Sequence, residues 1–145
     1  RLIAANAGVL LTRVIHVKQG AGKTFVIVDA AMNDLIRPTL YEAYHEIMSV
    51  MEAPPDAPRE TVDVVGPVCE SGDYLAQKRT MTLPRAGELL AVMSAGAYGA
   101  VQASTYNSRL LVPEVLVKGS NHAVVRPRLS YDDLIGLDRL PDWLS

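Results

Sequence analysis

Short β-branched runs, each closed by a glycine, a proline or a polar turn, recur along this chain, and that rhythm leaves few folds open. Gly8 to Val17 reads as a strand, and Thr24 to Val28 reads as a second. The Gln19-Gly20-Ala21-Gly22-Lys23 turn between them predicts a hairpin. Thr61 to Cys69 alternates and predicts a strand with a Gly-Pro break near its end. Glu88 to Met93 predicts a strand that enters a small-residue segment. Val115 to Val117 and Ala123 to Arg126 flank Lys118-Gly119-Ser120-Asn121-His122, a second hairpin signal. Many short strands separated by turns predict a mainly β fold, a closed β-barrel or sandwich with a few short helices.

Other segments are less regular. Asp29 to Asp34 reads as a loop or helical turn, and Arg37-Pro38 imposes extended or turn backbone. Leu40 to Met51 fits helix or strand by its apolar rhythm, with the second half read as extended. Ala53 to Arg59 carries three prolines and reads as a surface loop. Asp73 to Arg79 is polar with short apolar insets and is read as one helical turn. Ser130 with Asp133 three residues on has the form of a capping box ahead of a short helix.

The 145 residues suffice for one domain, 1–145. A net charge of -2 argues against a broad nucleic-acid footprint but leaves room for a local cationic pocket. The single cysteine has no internal disulfide partner, which suits a reducing compartment, the cytoplasm. No signal peptide is legible, and the apolar runs are shorter than a membrane span. The start at Arg1, without methionine and directly before strand-like sequence, is the start expected of a piece of a larger protein.

Three stretches could carry chemistry. In Cys69-Glu70-Ser71-Gly72-Asp73 a thiol stands beside a carboxylate. A thiol titrates only a little above neutrality and serves as proton donor or nucleophile; the plain alternative is an inert cysteine in a loop. In Arg37-Pro38-Thr39-Leu40-Tyr41, the guanidinium fork fits a carboxylate or phosphate. On a helical turn Tyr41 would share the face of Arg37; the alternative is a surface arginine beside a buried tyrosine. In Ser94 to Arg109, Tyr98 lies between Ala97 and Gly99 with no bulk around its ring, open to a ligand or else packed in a tight junction. His16, His45 and His122 lack metal-ligand spacing. His16 and His122 read as structural or exposed, and His45 as structural unless it supports a nearby site. Asn33 with Asp34 and Asp132 with Asp133 read as turn or cap groups, and Lys78-Arg79 as a solvated face.

The ordered set Arg1-Leu-Ile-Ala-Ala-Asn-Ala-Gly8, Arg37-Pro-Thr-Leu-Tyr41, Cys69-Glu-Ser-Gly-Asp73, Gly96-Ala-Tyr98-Gly and Ser104-Thr-Tyr-Asn-Ser108 resembles the diaminopimelate decarboxylases, of the alanine-racemase-like class of pyridoxal-phosphate enzymes. The resemblance runs nearly end to end and covers only the C-terminal part of those enzymes. It implies a β domain whose N-terminal (β/α)8 barrel, with the cofactor lysine, lies outside this sequence. Lys18, Lys23, Lys78 and Lys118 do not match that lysine, so the resemblance implies that this part alone is inactive.

By the same resemblance, Arg1, Arg37 and Tyr41 look like binders of the substrate's distal carboxylate, and Glu70 like the partner of the distal ammonium. Cys69 looks like the proton donor to the carbon left when carbon dioxide departs, and Tyr98 like a contact to substrate and pyridoxal 5'-phosphate. Cys69 and Glu70 would serve the other subunit of a homodimer. Decarboxylases of ornithine, arginine or lysine are similar around the cysteine but usually carry Asp where Glu70 stands, and they lack the Arg-Pro-x-Leu-Tyr element. A noncatalytic dimerisation or regulatory β module is the reading from another class.

Overall fold

A computed structural model describes residues 1–144 and divides the chain into two compact units, Arg1–Ala103 and a shorter one from Ser104 onward. The first unit is built on six strands: β1 (Leu10–Gly20), β2 (Lys23–Val28), β3 (Ile47–Ser49), β4 (Arg59–Val65), β5 (Tyr74–Thr82) and β6 (Leu89–Val92). They form one sheet in the order β3-β6-β1-β2-β4-β5. β2 and β4 run parallel, and all other neighbours are antiparallel. The fold is mainly β, as the strand rhythm predicts. The ladder itself is open, with β3 and β5 as its edges.

Alternation builds the core. Val26, Val28, Val62, Val64, Leu90 and Val92 face inward and are buried, joined by Val14, Leu35, Ile47, Leu75 and Met81. In β1, Thr12 and Val14 point inward until a register irregularity between Val14 and His16. The buried Thr12 hydroxyl is fully used: it donates to Asp29 Oδ1 at 2.7 Å and accepts from the Ala30 amide at 2.9 Å. Without such partners a buried hydroxyl would cost about 1–3 kcal/mol.

Two local readings are corrected. Asp73 to Arg79 is not a helical turn: Tyr74 onward is strand β5. Two residues of β5, Gln77 and Lys78, oppose one of β4, Asp63, because Val62 pairs with Arg79 while Val64 pairs with Ala76. Lys78 takes a positive φ of 49° in this bulge, and its amide donates to Asp63 Oδ1 at 2.6 Å. The bulge leaves Gln77 and Lys78 consecutively exposed and hides the strand alternation from a sequence reading. Likewise, Arg37-Pro38 does not impose extended backbone. It opens helix α1 (Arg37–Tyr41), because proline in a first helical turn gives up an N–H that has no helical partner anyway.

In the shorter unit, β7 (Glu114–Lys118) and β8 (Asn121–Arg126) form the predicted hairpin. Helix α2 (Tyr131–Ile135) starts with the predicted capping box: Ser130 Oγ accepts from the Asp133 amide, and the Asp133 carboxylate accepts from the Ser130 amide. The ribbon exposes Leu116, Val117, Val124 and Val125, and Leu137, Leu140 and Trp143 beyond it are also exposed. Among the described residues, no helix is long and apolar enough to cross a membrane.

Asp63 carries a testable consequence. Burial pushes its carboxyl up, but the Lys78 amide and the Lys23 ammonium, 3.0 Å away, outweigh burial and hold it below the usual aspartate value. Its stabilisation is therefore complete above the unfolded-chain pKa of about 3.9 and is lost as pH falls through the lower folded-state value. Asp63→Asn should lower unfolding free energy by about 1–3 kcal/mol at neutral pH. In urea titrations the gap from wild type should shrink as the pH is taken below the folded-state value. An equal gap at all pH values would refute this account.

Candidate active site

α1 sets the first side chains. It runs from an Ile36 cap to Glu42, which turns left-handed at φ 51°. One helical turn separates Arg37 from Tyr41, so both lie on one face. The Arg37 guanidinium carbon is 5.8 Å from the centroid of the Tyr41 ring and 5.6 Å from that of Tyr98. Arg37 itself is buried, while Tyr41 and Tyr98 are each about half exposed. Two electron-rich ring faces hold the cation in place without consuming its hydrogen-bond fork.

A close backbone crossing brings the second cation. The Ala95 amide donates to the Gly8 carbonyl at 2.9 Å, and the Gly96 amide donates to the Ala5 carbonyl at 3.1 Å. Ser94 Oγ donates to Asn6 Oδ1 at 2.8 Å. No side chain fits at the crossing: a Cβ on Gly96 would lie 2.2 Å from the Ala4 carbonyl oxygen, and one on Gly8 would lie 2.6 Å from Gly96 Cα. The N-terminal segment is thereby laid along the Ser94–Gly99 loop. Within that loop Ser94 and Tyr98 both have positive φ, 57° and 64°. Such backbone is costly for residues with a Cβ and clusters at functional sites.

Between these elements lies a cleft of about 490 Å³, lined by Arg1, Asn6, Arg37, Tyr44, His45 and Ser94 among others. Two arginines in one cleft suit an anion. No lysine is among the described residues that line it. Tyr98 sits against Arg37 beside Ala97, which lines the cleft, and its half-exposed ring fits contact with a flat aromatic cofactor such as pyridoxal phosphate.

His45 plays a larger part than the sequence suggests. Its Nδ1 lies 2.9 Å from the Met93 carbonyl, which can only accept, so Nδ1 carries a proton. Nε2 is buried without a hydrogen-bond partner among the described residues. Arg79, read above as part of a solvated face, is instead mostly covered. It donates to the His45 carbonyl at 2.9 Å and stacks on Tyr44 at 4.0 Å. A hydrogen bond to Glu46 raises the Tyr44 phenol above its ordinary pKa, with burial adding to the shift, so it stays a neutral donor. Arg79 escaped the sequence reading because the bulge at Lys78 removes the alternation that would mark it as inward-facing.

Cys69 and Glu70 do not line this cleft. They sit on the exposed loop between β4 and β5, with the thiol free. Glu70 Oε1 accepts from the Gly72 amide and the Ser71 hydroxyl, each at 3.2 Å. His16 and His122 are exposed, as expected. Among the described residues, no group of three His, Cys, Asp or Glu side chains could hold a metal.

Residues 2–96 match the family model for the C-terminal sheet domain of pyridoxal-dependent decarboxylases. The chain belongs to that family. It is 53% identical over 144 residues to the diaminopimelate decarboxylase of Zymomonas mobilis, covering 99% of this chain and 34% of that protein. It is 49% identical to the enzyme of the same name from Archaeoglobus fulgidus, again over 99% of this chain and 34% of the other. A solved structure of diaminopimelate decarboxylase from M. jannaschii, in complex with L-lysine, superposes with a TM-score of 0.90 at 37% identity, covering 97% of this chain and 32% of that one. The chain thus spans about a third of the length of the curated relatives it matches.

The glycine crossing gives this family member a test. Gly96→Ala must push the N-terminal segment off the 94–99 loop, at about 1–3 kcal/mol. Thermal unfolding should report that loss, and limited proteolysis should cut the N-terminal segment faster. Unchanged proteolysis and melting would show that the crossing does not hold the cleft.

Proposed function

We propose that this chain is the C-terminal substrate-binding and dimerisation part of a homodimeric, cytoplasmic decarboxylase that converts meso-2,6-diaminopimelate to L-lysine and carbon dioxide. The observation that carries the reading is the placement of Arg37 between Tyr41 and Tyr98, in one cleft with Arg1. A carboxylate about to leave must be kept from strong cation pairing, since its charge is being lost. A second carboxylate that stays needs the reverse, and two arginines with a phenol provide it. Monocarboxylate substrates such as ornithine give Arg37 nothing to bind, which favours diaminopimelate over the related decarboxylases.

The remaining roles follow the same chemistry. Glu70 takes the distal ammonium. A substrate lacking either distal group leaves a site group unpaired, at about 1–3 kcal/mol, which separates lysine from its precursor. Pyridoxal phosphate, held by a lysine outside this chain, supplies the electron sink that makes carbon–carboxylate cleavage possible. Tyr98 orients cofactor and substrate through its ring. Cys69 holds a proton on Sγ and gives it to the carbon that has lost carbon dioxide, so a C–H bond replaces the broken C–C bond. Because Cys69 and Glu70 lie outside their own chain's cleft, we assign them to the cleft of a second subunit. The exposed apolar side chains of the hairpin unit suit docking onto the rest of the parent enzyme. Within residues 1–103, a barrel-like curl of the sheet is supported by Arg79, which reaches from β5 towards the segment before β3, between the two open edges.

In the full-length enzyme, Cys69→Ala should cut turnover about 100-fold or more while the cofactor absorbance persists. Steady-state kinetics with the absorption spectrum decide it, and near-normal turnover would remove Cys69 from the reaction. Arg37→Ala should weaken substrate binding about 10- to 100-fold with cofactor affinity unchanged. A substrate titration showing wild-type affinity would defeat the carboxylate role. If the full-length protein yields no lysine from diaminopimelate, a noncatalytic β module becomes the better reading.

A further inference from the structure

Asp73 closes the Cys-Glu-Ser-Gly-Asp stretch, and it is buried although Cys69, Glu70 and Ser71 are exposed. Both its carboxylate oxygens are engaged by backbone. Oδ1 accepts from the Met32 amide at 2.7 Å, and Oδ2 accepts from the Val68 amide at 2.6 Å. Its own amide donates to the Glu70 carbonyl at 3.0 Å, and its carbonyl accepts from the Gly66 amide at 3.0 Å. One side chain therefore staples the residue before Cys69 to the segment leading into α1. Charge-assisted bonds of this kind are about twice as strong as neutral ones.

A second anchor comes from α1 itself. Thr39 Oγ1 donates to the Gly72 carbonyl at 2.5 Å, and a Cβ on Gly72 would lie 2.8 Å from the Thr39 methyl carbon. Gly66 is equally confined, since a Cβ there would lie 2.4 Å from Asp73 Oδ2. The loop is thus clamped at both ends, on Asp73 and on Thr39. Thr39 stands between Arg37 and Tyr41 in the same helix.

We infer that Asp73 and Thr39 are positioning residues for the reaction: they fix Cys69 and Glu70 relative to the helix that carries Arg37 and Tyr41. The inference rests on the decarboxylase reading above. Its consequence is specific to a dimer with shared sites. The loop that serves one subunit's cleft is held by the substrate-binding helix of the other, so displacement of α1 in one cleft moves the thiol in its neighbour.

The test uses the full-length dimer with Asp73→Asn, Gly66→Ala, Thr39→Val and Thr39→Ser. Asp73→Asn places an amide donor against a backbone donor, and Gly66→Ala displaces the same carboxylate without removing it. Thr39→Val deletes one hydroxyl, and Thr39→Ser restores it. Turnover should fall about ten- to hundred-fold in the first three variants with cofactor absorbance retained, and Thr39→Ser should recover it. Hydrogen exchange should quicken in residues 67–72 while peptides from β1, β2 and β4 keep wild-type rates. Near-wild-type turnover in Thr39→Val and Asp73→Asn, or a Thr39→Ser as impaired as Thr39→Val, would overturn the proposal. So would lost turnover without faster exchange in 67–72. If Asp73→Asn does not fold, the Thr39 pair decides alone. If wild type itself forms no lysine, the functional reading fails, and the exchange data still judge the clamp.

Discussion

Where Gly8 passes Gly96, two backbones touch and no Cβ fits between them. The cleft depends on that contact. The N-terminal segment has no strand ladder of its own and contributes only a short 3-10 turn at Ala5–Ala7. What fixes it is the pair of backbone hydrogen bonds to Ala5 and Gly8, which can form only at this closeness. Widen the crossing by one methyl group and Arg1 loses its reason to share a cleft with Arg37. The sheet beneath supplies rigidity, since Leu90 and Val92 are fully buried just before the 94–99 loop begins.

The electrostatics of the cleft follow from how its cation is held. Arg37 is buried and packs against two rings. Burying a guanidinium is costly when nothing compensates it. The ring faces offset part of that cost and leave the planar donor fork for an anion. Arg79 illustrates the opposite use of the same side chain. It meets a ring, a backbone carbonyl and a carboxylate of its own chain, and its job is to hold Tyr44, His45 and Glu46 in place. One arginine is arranged for a ligand and the other for the fold, and only their surroundings distinguish them.

Much of the fold was legible because it rests on local chemistry. The hairpins at Gly20–Lys23 and Lys118–Asn121 follow from turn residues between β-branched runs, and the Ser130 capping box follows from a spacing of three. Strand β5 was missed because its bulge is imposed from outside: Asp63, on the neighbouring strand, captures the Lys78 amide. A sequence pattern carries no trace of such a tertiary partner. Helix α1 is hidden because a residue before proline ordinarily avoids helical backbone, whereas here Pro38 sits in the first turn, where proline is tolerated. At the site, the shared face of Arg37 and Tyr41 was legible from helical spacing. The burial of His45 was not, since it depends on Met93 and Arg79, distant in sequence.

The thiol loop joins the fold to the chemistry. An exposed loop of glycine and polar residues would ordinarily be mobile, and a mobile proton donor is a poor one, because effective concentration falls with every degree of freedom left open. Here Cys69 and Glu70 are exposed on a turn whose backbone is pinned by a buried carboxylate and a helix hydroxyl. One pin, Thr39, belongs to the helix that carries Arg37 and Tyr41, and the other, Asp73, binds the Met32 amide ahead of that helix, so the anion-binding helix and the thiol-carboxylate loop are tied to each other. On the function proposed here, that exposed loop would complete the cleft of a second copy.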